Sequence, residues 1–213
     1  MHQRRDFYKG GFWHIYNRGV AKQDIFREKD DFIYYLYKAK EVLKKHPLSI
    51  YAYSLLNNHL HYLIEQTTQI PPGKFISSLH TSFGIRINKK YDRVGHLFQD
   101  RYNAKPVKNT DYLLDLSIYI NLNTILEKLQ HLEKTSVSRR KLKTLLDEAE
   151  NYPWSSYGVY LGLREDGITN DRFILSIISD DIEKARKEYQ KLSKEMLISK
   201  RFLKIRDLTF EEF

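Results

Sequence analysis

Tyr53-Ser54-Leu55-Leu56-Asn57-Asn58-His59-Leu60-His61-Tyr62-Leu63-Ile64 is an apolar run that carries two histidines one residue apart. Successive side chains of a strand alternate faces, so both imidazoles leave the same face with Cα atoms roughly 7 Å apart, near enough to share a metal ion. Leu60 and Tyr62 then face the other side. Ser49 to Leu55, just ahead, also alternates, and Leu56-Asn57-Asn58 is a short enough connection to join the two strands as an antiparallel hairpin. The pair alone also fits two histidines of a half-buried strand that bond to neighbours or water, so a further polar group has to decide.

Working outward, Gly11 to Asn17 reads as a strand with Trp13 and Ile15 toward a core and His14 and Tyr16 on the other side. Asp30 to His46 has helical spacing at Phe32, Tyr35, Leu36, Ala39, Val42 and Leu43 and stops at Pro47. Pro71-Pro72 opens a second helix with the apolar face Phe75, Ile76, Leu79, Phe83 and Ile87. Gly95 to Val107 reads as an extended return. Asn109 or Thr110 can cap a third helix that runs to about Leu122, with Asp111 well placed in its first turn. The order strand, helix, strand, strand, helix, strand predicts an α+β, ferredoxin-like (RRM-like) antiparallel sheet with helices on one face.

Composition changes at Leu126. Gln130 to Glu150 and Asp180 to Lys200 are densely charged and helical, and Tyr152-Pro153-Trp154-Ser155-Ser156-Tyr157 between them is an aromatic turn. With no linker rich in glycine or serine, residues 126–213 read as a helical extension docked on a first domain of residues 1–125.

The chain of 213 residues can bury an ordinary core, and with no cysteine it can build neither a disulfide framework nor a thiolate metal site. Any metal is therefore left to histidine, carboxylate, amide oxygen or water. No segment approaches the ~20 apolar residues of a membrane span, so the expectation is a soluble cytoplasmic protein without a membrane partner. Lys and Arg number 36 against 27 acidic residues, a net charge of +9, and there are 16 tyrosines. Cations that neutralise phosphates and aromatic faces that stack on unpaired bases suit a nucleic-acid partner.

On the third helix Tyr119 and Asn123 are one turn apart on one face, so a phenol and a carboxamide oxygen can be presented together to the metal of His59 and His61. Two imidazoles, one amide oxygen and open positions suit Mg²⁺ or Mn²⁺ bound to a phosphate oxygen. Tyr112 is a rival nucleophile, but Leu116, the residue four after it, can ligate nothing. Arg18, Arg101 and Lys105 are candidate phosphate contacts. His14 and His96 read as structural residues, with a DNA-backbone contact the other option for His96.

The stretches His14-Ile15-Tyr16-Asn17-Arg18-Gly19, Asn58-His59-Leu60-His61-Tyr62-Leu63, Gly95-His96-Leu97-Phe98-Gln99-Asp100-Arg101-Tyr102, Tyr119-Ile120-Asn121-Leu122-Asn123 and Tyr152 to Tyr157 resemble the successive signatures of the single-tyrosine HUH transposases. The likeness is closest to the REP-associated tyrosine branch. It implies that His59 and His61 are metal ligands with Asn123 as the third, and that Tyr119 cleaves single-stranded DNA beside a hairpin through a 5′-phosphotyrosine link. It leaves a monomer or a homodimer open. Asn57 and Thr124 stand where family members often carry proline. Two other readings compete: a single-stranded nucleic-acid-binding protein without catalysis, and a metal-dependent nuclease that uses water.

Overall fold

The computed structural model describes residues 6–109, 111–130 and 138–210. By its contacts the chain falls into two compact units, Met1–Ile50 with Leu55–Lys108, and Tyr51–Ser54 with Asn109–Phe213.

The sheet consists of strands β1 (Phe12–Arg18), β2 (Ser49–Leu55), β3 (His59–Glu65) and β4 (Asn103–Val107), with helices α1 (Lys29–Lys45) and α2 (Pro72–Lys90) between them in sequence; all of these belong to the first unit except Tyr51–Ser54 of β2, which groups with the second. The sheet order is β2-β3-β1-β4, and β1 pairs antiparallel with both β3 and β4. This is the expected ferredoxin-like order. Alternation then divides the residues. Trp13, Ile15, Tyr62 and Ile64 are buried on the face that meets Phe75 of α2, whose ring lies 6.4 Å from that of Tyr62. Helices α1 and α2 meet through Tyr35 and Phe83, edge to face at 4.9 Å, a favourable aromatic geometry.

Asp31 ties the start of α1 to the end of α2. Its carboxylate accepts from the Arg27 and Glu28 N–H groups, from Tyr91 Oη at 2.8 Å and from Lys90 Nζ at 2.5 Å, and Lys90 also pairs with Glu28. Burial alone would raise the Asp31 pKa, but these donors, Lys90 foremost, hold it below the usual value.

The expected return segment is a strand only from Asn103 to Val107. Ahead of it the backbone is irregular, yet Phe98 bridges Gly19, Val20 N–H donates to Leu97 O and Gln99 N–H donates to Arg18 O. Gly95, at φ +93°, takes a conformation that few other residues adopt, which bends the chain out of extension.

The second unit is helical: α3 (Asp111–Gln130), α4 (Arg139–Asn151), α5 (Tyr157–Tyr160), α6 (Asp171–Ser176), α7 (Ile182–Ile198) and α8 (Arg201–Phe210). Helix α3 runs eight residues beyond the Leu122 end expected from sequence. Thr124 keeps the N–H that a proline would lack, so nothing stops the helix there. The charged helix expected from Gln130 begins at Arg139, with Ser138 Oγ capping Lys141 N–H. Thr110 and residues 131–137, on which part of these expectations fell, lie outside the described residues.

The aromatic turn is pinned by backbone bonds. Ser156 N–H donates to Tyr53 O at 3.0 Å, Tyr53 N–H donates to Ser156 Oγ, and Tyr160 Oη donates to Tyr51 O at 2.7 Å. Arg164 gathers the carbonyls of Glu150, Tyr152 and Ser155. A Cβ at Gly158 would stand 2.4 Å from Arg164 Nη1, so a larger residue there would displace the guanidinium from these carbonyls.

Candidate functional site

The β1/β3 register sets Arg18 opposite His59, Tyr16 opposite His61 and His14 opposite Leu63. On the other edge of β1, Lys105 stands opposite His14. Because paired residues of antiparallel strands share a face, His14, Tyr16, Arg18, His59, His61 and Lys105 all lie on the side away from α2. Three histidines, two cations and a tyrosine thus meet on one surface of the sheet.

The corner before His59 is held by backbone donors. Gly19 N–H donates to Asn58 O at 2.8 Å, and the Ile25 and Phe26 N–H groups both reach Asn57 O at 2.7 and 2.9 Å. A Cβ on Gly19 would meet Gln23 O at 2.1 Å, so only glycine allows this close approach. With the corner fixed, Asn58 Oδ1 lies 2.7 Å from His59 Nδ1. Proline at position 57 would still offer the carbonyl that these donors use, so the Asn57 departure leaves the corner intact.

His61 is buried, and its Nδ1 lies 3.0 Å from His14 Nε2. Both candidate ligands therefore have Nδ1 engaged, which leaves Nε2 as the nitrogen a metal would take, the two rings standing perpendicular with centroids 5.2 Å apart. Burial, with smaller contributions from His59 and His14, pushes the His61 pKa well below its usual value. Burial, then Lys105, lowers that of His14 to about 3. Neutral imidazoles are the form that binds a divalent ion, so the donor set fits one. Among the described residues no group of three or more His, Cys, Asp or Glu could hold a metal.

Helix α3 carries the Asn123 amide. Ser117 Oγ and Tyr189 Oη are 3.1 Å apart, Asn121 Nδ2 donates to Tyr189 Oη at 2.9 Å and Ser156 Oγ donates to Asn121 Oδ1. At 100° per residue, Tyr119 and Asn123 lie roughly opposite Ser117 and Asn121. The helix thus docks on Tyr189 and Ser156 with one polar face and turns the phenol and the amide together the other way. Both are buried, Tyr119 at 2% and Asn123 at 5% exposure. Burial and then Asp115 raise the Tyr112 pKa to about 12.

The candidate phosphate contacts separate. Arg18 Nε donates to Gln99 Oε1 at 2.7 Å beside His59, and Lys105 stands on the histidine face. Arg101 is exposed in the loop before β4, where it lines a groove with α2 residues and not the histidine register. His96 lines the same groove. Beneath the loop His80 stacks on Phe98 at 4.0 Å and lies 3.5 Å from Asn17 Nδ2, a cluster that sequence reading missed because its members are far apart in the chain. The same holds for His14, whose place beside Tyr16 on the outer face was legible but whose partner His61 was not.

No helix among the described residues is long and apolar enough to cross a membrane. No curated protein matches the chain. Among solved structures, one of a REP-associated tyrosine transposase bound to a REP hairpin has a similar fold, with TM-score 0.58, 16% identity, and coverage of 80% of this chain and 92% of that one. A transposase candidate from Deinococcus radiodurans R1 is matched at 14% identity and TM-score 0.38, over 62% of this chain and 96% of that one. The family model of IS200-like transposases matches residues 10–123, more than half of the chain and a span that reaches from the turn before β1 through His59, His61, Tyr119 and Asn123, and the chain belongs to that family.

Proposed function

We propose that this transposase cleaves and rejoins single-stranded DNA beside hairpins through a covalent tyrosine intermediate. The observation that carries the reading is the pair His59 and His61 on one sheet face, each with Nδ1 engaged. With Asn123 they would hold Mg²⁺ or Mn²⁺, which when bound polarises the scissile phosphate and steadies its developing charge. Tyr119 Oη attacks phosphorus, forming the tyrosine–phosphate ester as the bond to the 3′-oxygen breaks; the phenolic proton leaves and a 3′-hydroxyl is released. Reverse attack by another 3′-hydroxyl frees the tyrosine and joins strands with no external energy source, because the phosphoester count is unchanged. Arg18, Lys105 and Arg101 contact backbone phosphates. The catalytic part runs over residues 1–125, with 126–213 as a helical extension, in a cytoplasmic protein.

Denaturing electrophoresis of the protein with end-labelled single-stranded hairpin DNA tests this. A covalent adduct that needs Mg²⁺ or Mn²⁺, disappears in Tyr119→Phe and survives in Tyr112→Phe is the expected result. Free products without an adduct would point to a water-using nuclease, and a shift seen only in native gels to a binding protein.

A further inference from the structure

Three histidines crowd the outer sheet face, but their nitrogens are not equivalent. His14 directs Nε2 at His61 Nδ1, 3.0 Å away, so it approaches the nitrogen on the far side of the ring from the one a metal would take. His14 and His61 are each 1% exposed, so no bulk water competes for this bond. The contact is set by the sheet: His14 and His61 lie two residues apart along the register, on the same side of adjacent strands, with Tyr16 directly opposite His61. A histidine that ligates through Nε2 must carry its remaining proton on Nδ1, and that proton needs an acceptor when it is buried.

We infer that His14 is a positioning residue for the metal site, accepting the Nδ1 proton of His61 at Nε2 and so holding the His61 ring and tautomer for ligation through its own Nε2. The inference rests on the metal-site reading of the proposed function. His14 then keeps its own proton on Nδ1, an atom buried without a hydrogen-bond partner among the described residues. The lone pair of its Nε2 is used by His61, so His14 is not itself a third ligand. Asn58 Oδ1 plays the matching part for His59, at 2.7 Å from its Nδ1. An amide oxygen serves at the half-buried ligand and a neutral imidazole at the buried one, and each can accept the single proton that the neighbouring ring offers.

The test compares Mn²⁺ affinity by calorimetry in wild type, His14→Phe and His14→Gln, with ¹⁵N spectra of the histidine rings in Mg²⁺-loaded wild type. Phenylalanine fills the space without an acceptor, and glutamine offers Oε1 to the His61 proton. Expected are roughly 10–100-fold weaker Mn²⁺ binding in His14→Phe, near wild-type binding in His14→Gln, and His61 with its proton on Nδ1 in the wild-type spectrum. Unchanged Mn²⁺ affinity in folded His14→Phe, or a His61 proton on Nε2 in loaded wild type, overturns the inference and leaves the metal site standing. Wild type that binds neither Mn²⁺ nor Mg²⁺ overturns the metal-site reading itself. The wild-type spectrum decides the matter even where His14→Phe fails to fold.

Discussion

His80 offers a prediction whose size follows from its surroundings. It is 9% exposed, stacked on Phe98, and burial lowers its pKa from 6.5 to about 3. The folded value lies below the unfolded one, so between these limits the unfolded chain holds a proton that the folded chain does not. Stability from this residue is therefore full above pH 6.5 and is lost as pH falls toward the folded value. The loss is about 1.4 kcal/mol per pH unit, or about 2 kcal/mol on going from pH 6.5 to 5. His80→Phe keeps a ring against Phe98 and gives up the contact with Asn17, a cost of about 1 kcal/mol near pH 7.5. Since the variant lacks the titration, it should become about 1 kcal/mol more stable than wild type near pH 5. Urea unfolding of both proteins at several pH values reads this directly. The comparison cancels the other titrating groups, because His14 and His61 are present in both proteins. Parallel stability curves from pH 7.5 to 5 would refute the reasoning and show that His80 titrates alike in folded and unfolded chains.

Asp31→Asn removes the charge that Lys90 and Tyr91 address and should lower stability by about 2 kcal/mol at neutral pH, measured by chemical unfolding. Because the folded Asp31 pKa lies below the unfolded 3.8, the charge-dependent part of that loss is complete above pH 3.8 and fades as pH falls through the folded value. Arg18→Ala should weaken binding to hairpin DNA of any sequence and make the log–log salt dependence shallower by about one unit, as read by fluorescence titration at several salt concentrations; an unchanged slope would remove Arg18 from the phosphate contacts. Fully paired DNA of the same sequence should be cleaved far less than the single strand beside a hairpin, since opening it costs roughly a few kcal/mol per unstacked base; equal cleavage in the gel assay would contradict the proposed substrate.

Local alternation and periodicity were enough to place most of the secondary structure. Strands repeat every two residues and helices every 3.6, so Trp13 and Ile15 were separable from His14 and Tyr16, and His59 from Leu60, before any contact was known. The order of those elements was enough for the ferredoxin-like sheet, and the spacing of Tyr119 and Asn123 for their common helix face. The sequence did not reveal relations between residues distant in the chain. That His14 meets His61 depends on the register of β1 against β3, and that His80 lies under Phe98 depends on how the loop before β4 returns past Gly19. The length of α3 was hidden for another reason. Its continuation through Thr124 to Gln130 carries no capping or breaking residue at Leu122, and the polar face at Ser117 and Asn121 has its meaning only from Tyr189 and Ser156. Side-chain parity is fixed by the backbone of one segment, whereas register, capping partners and shared protons are fixed by which segments meet, and only the folded chain decides that.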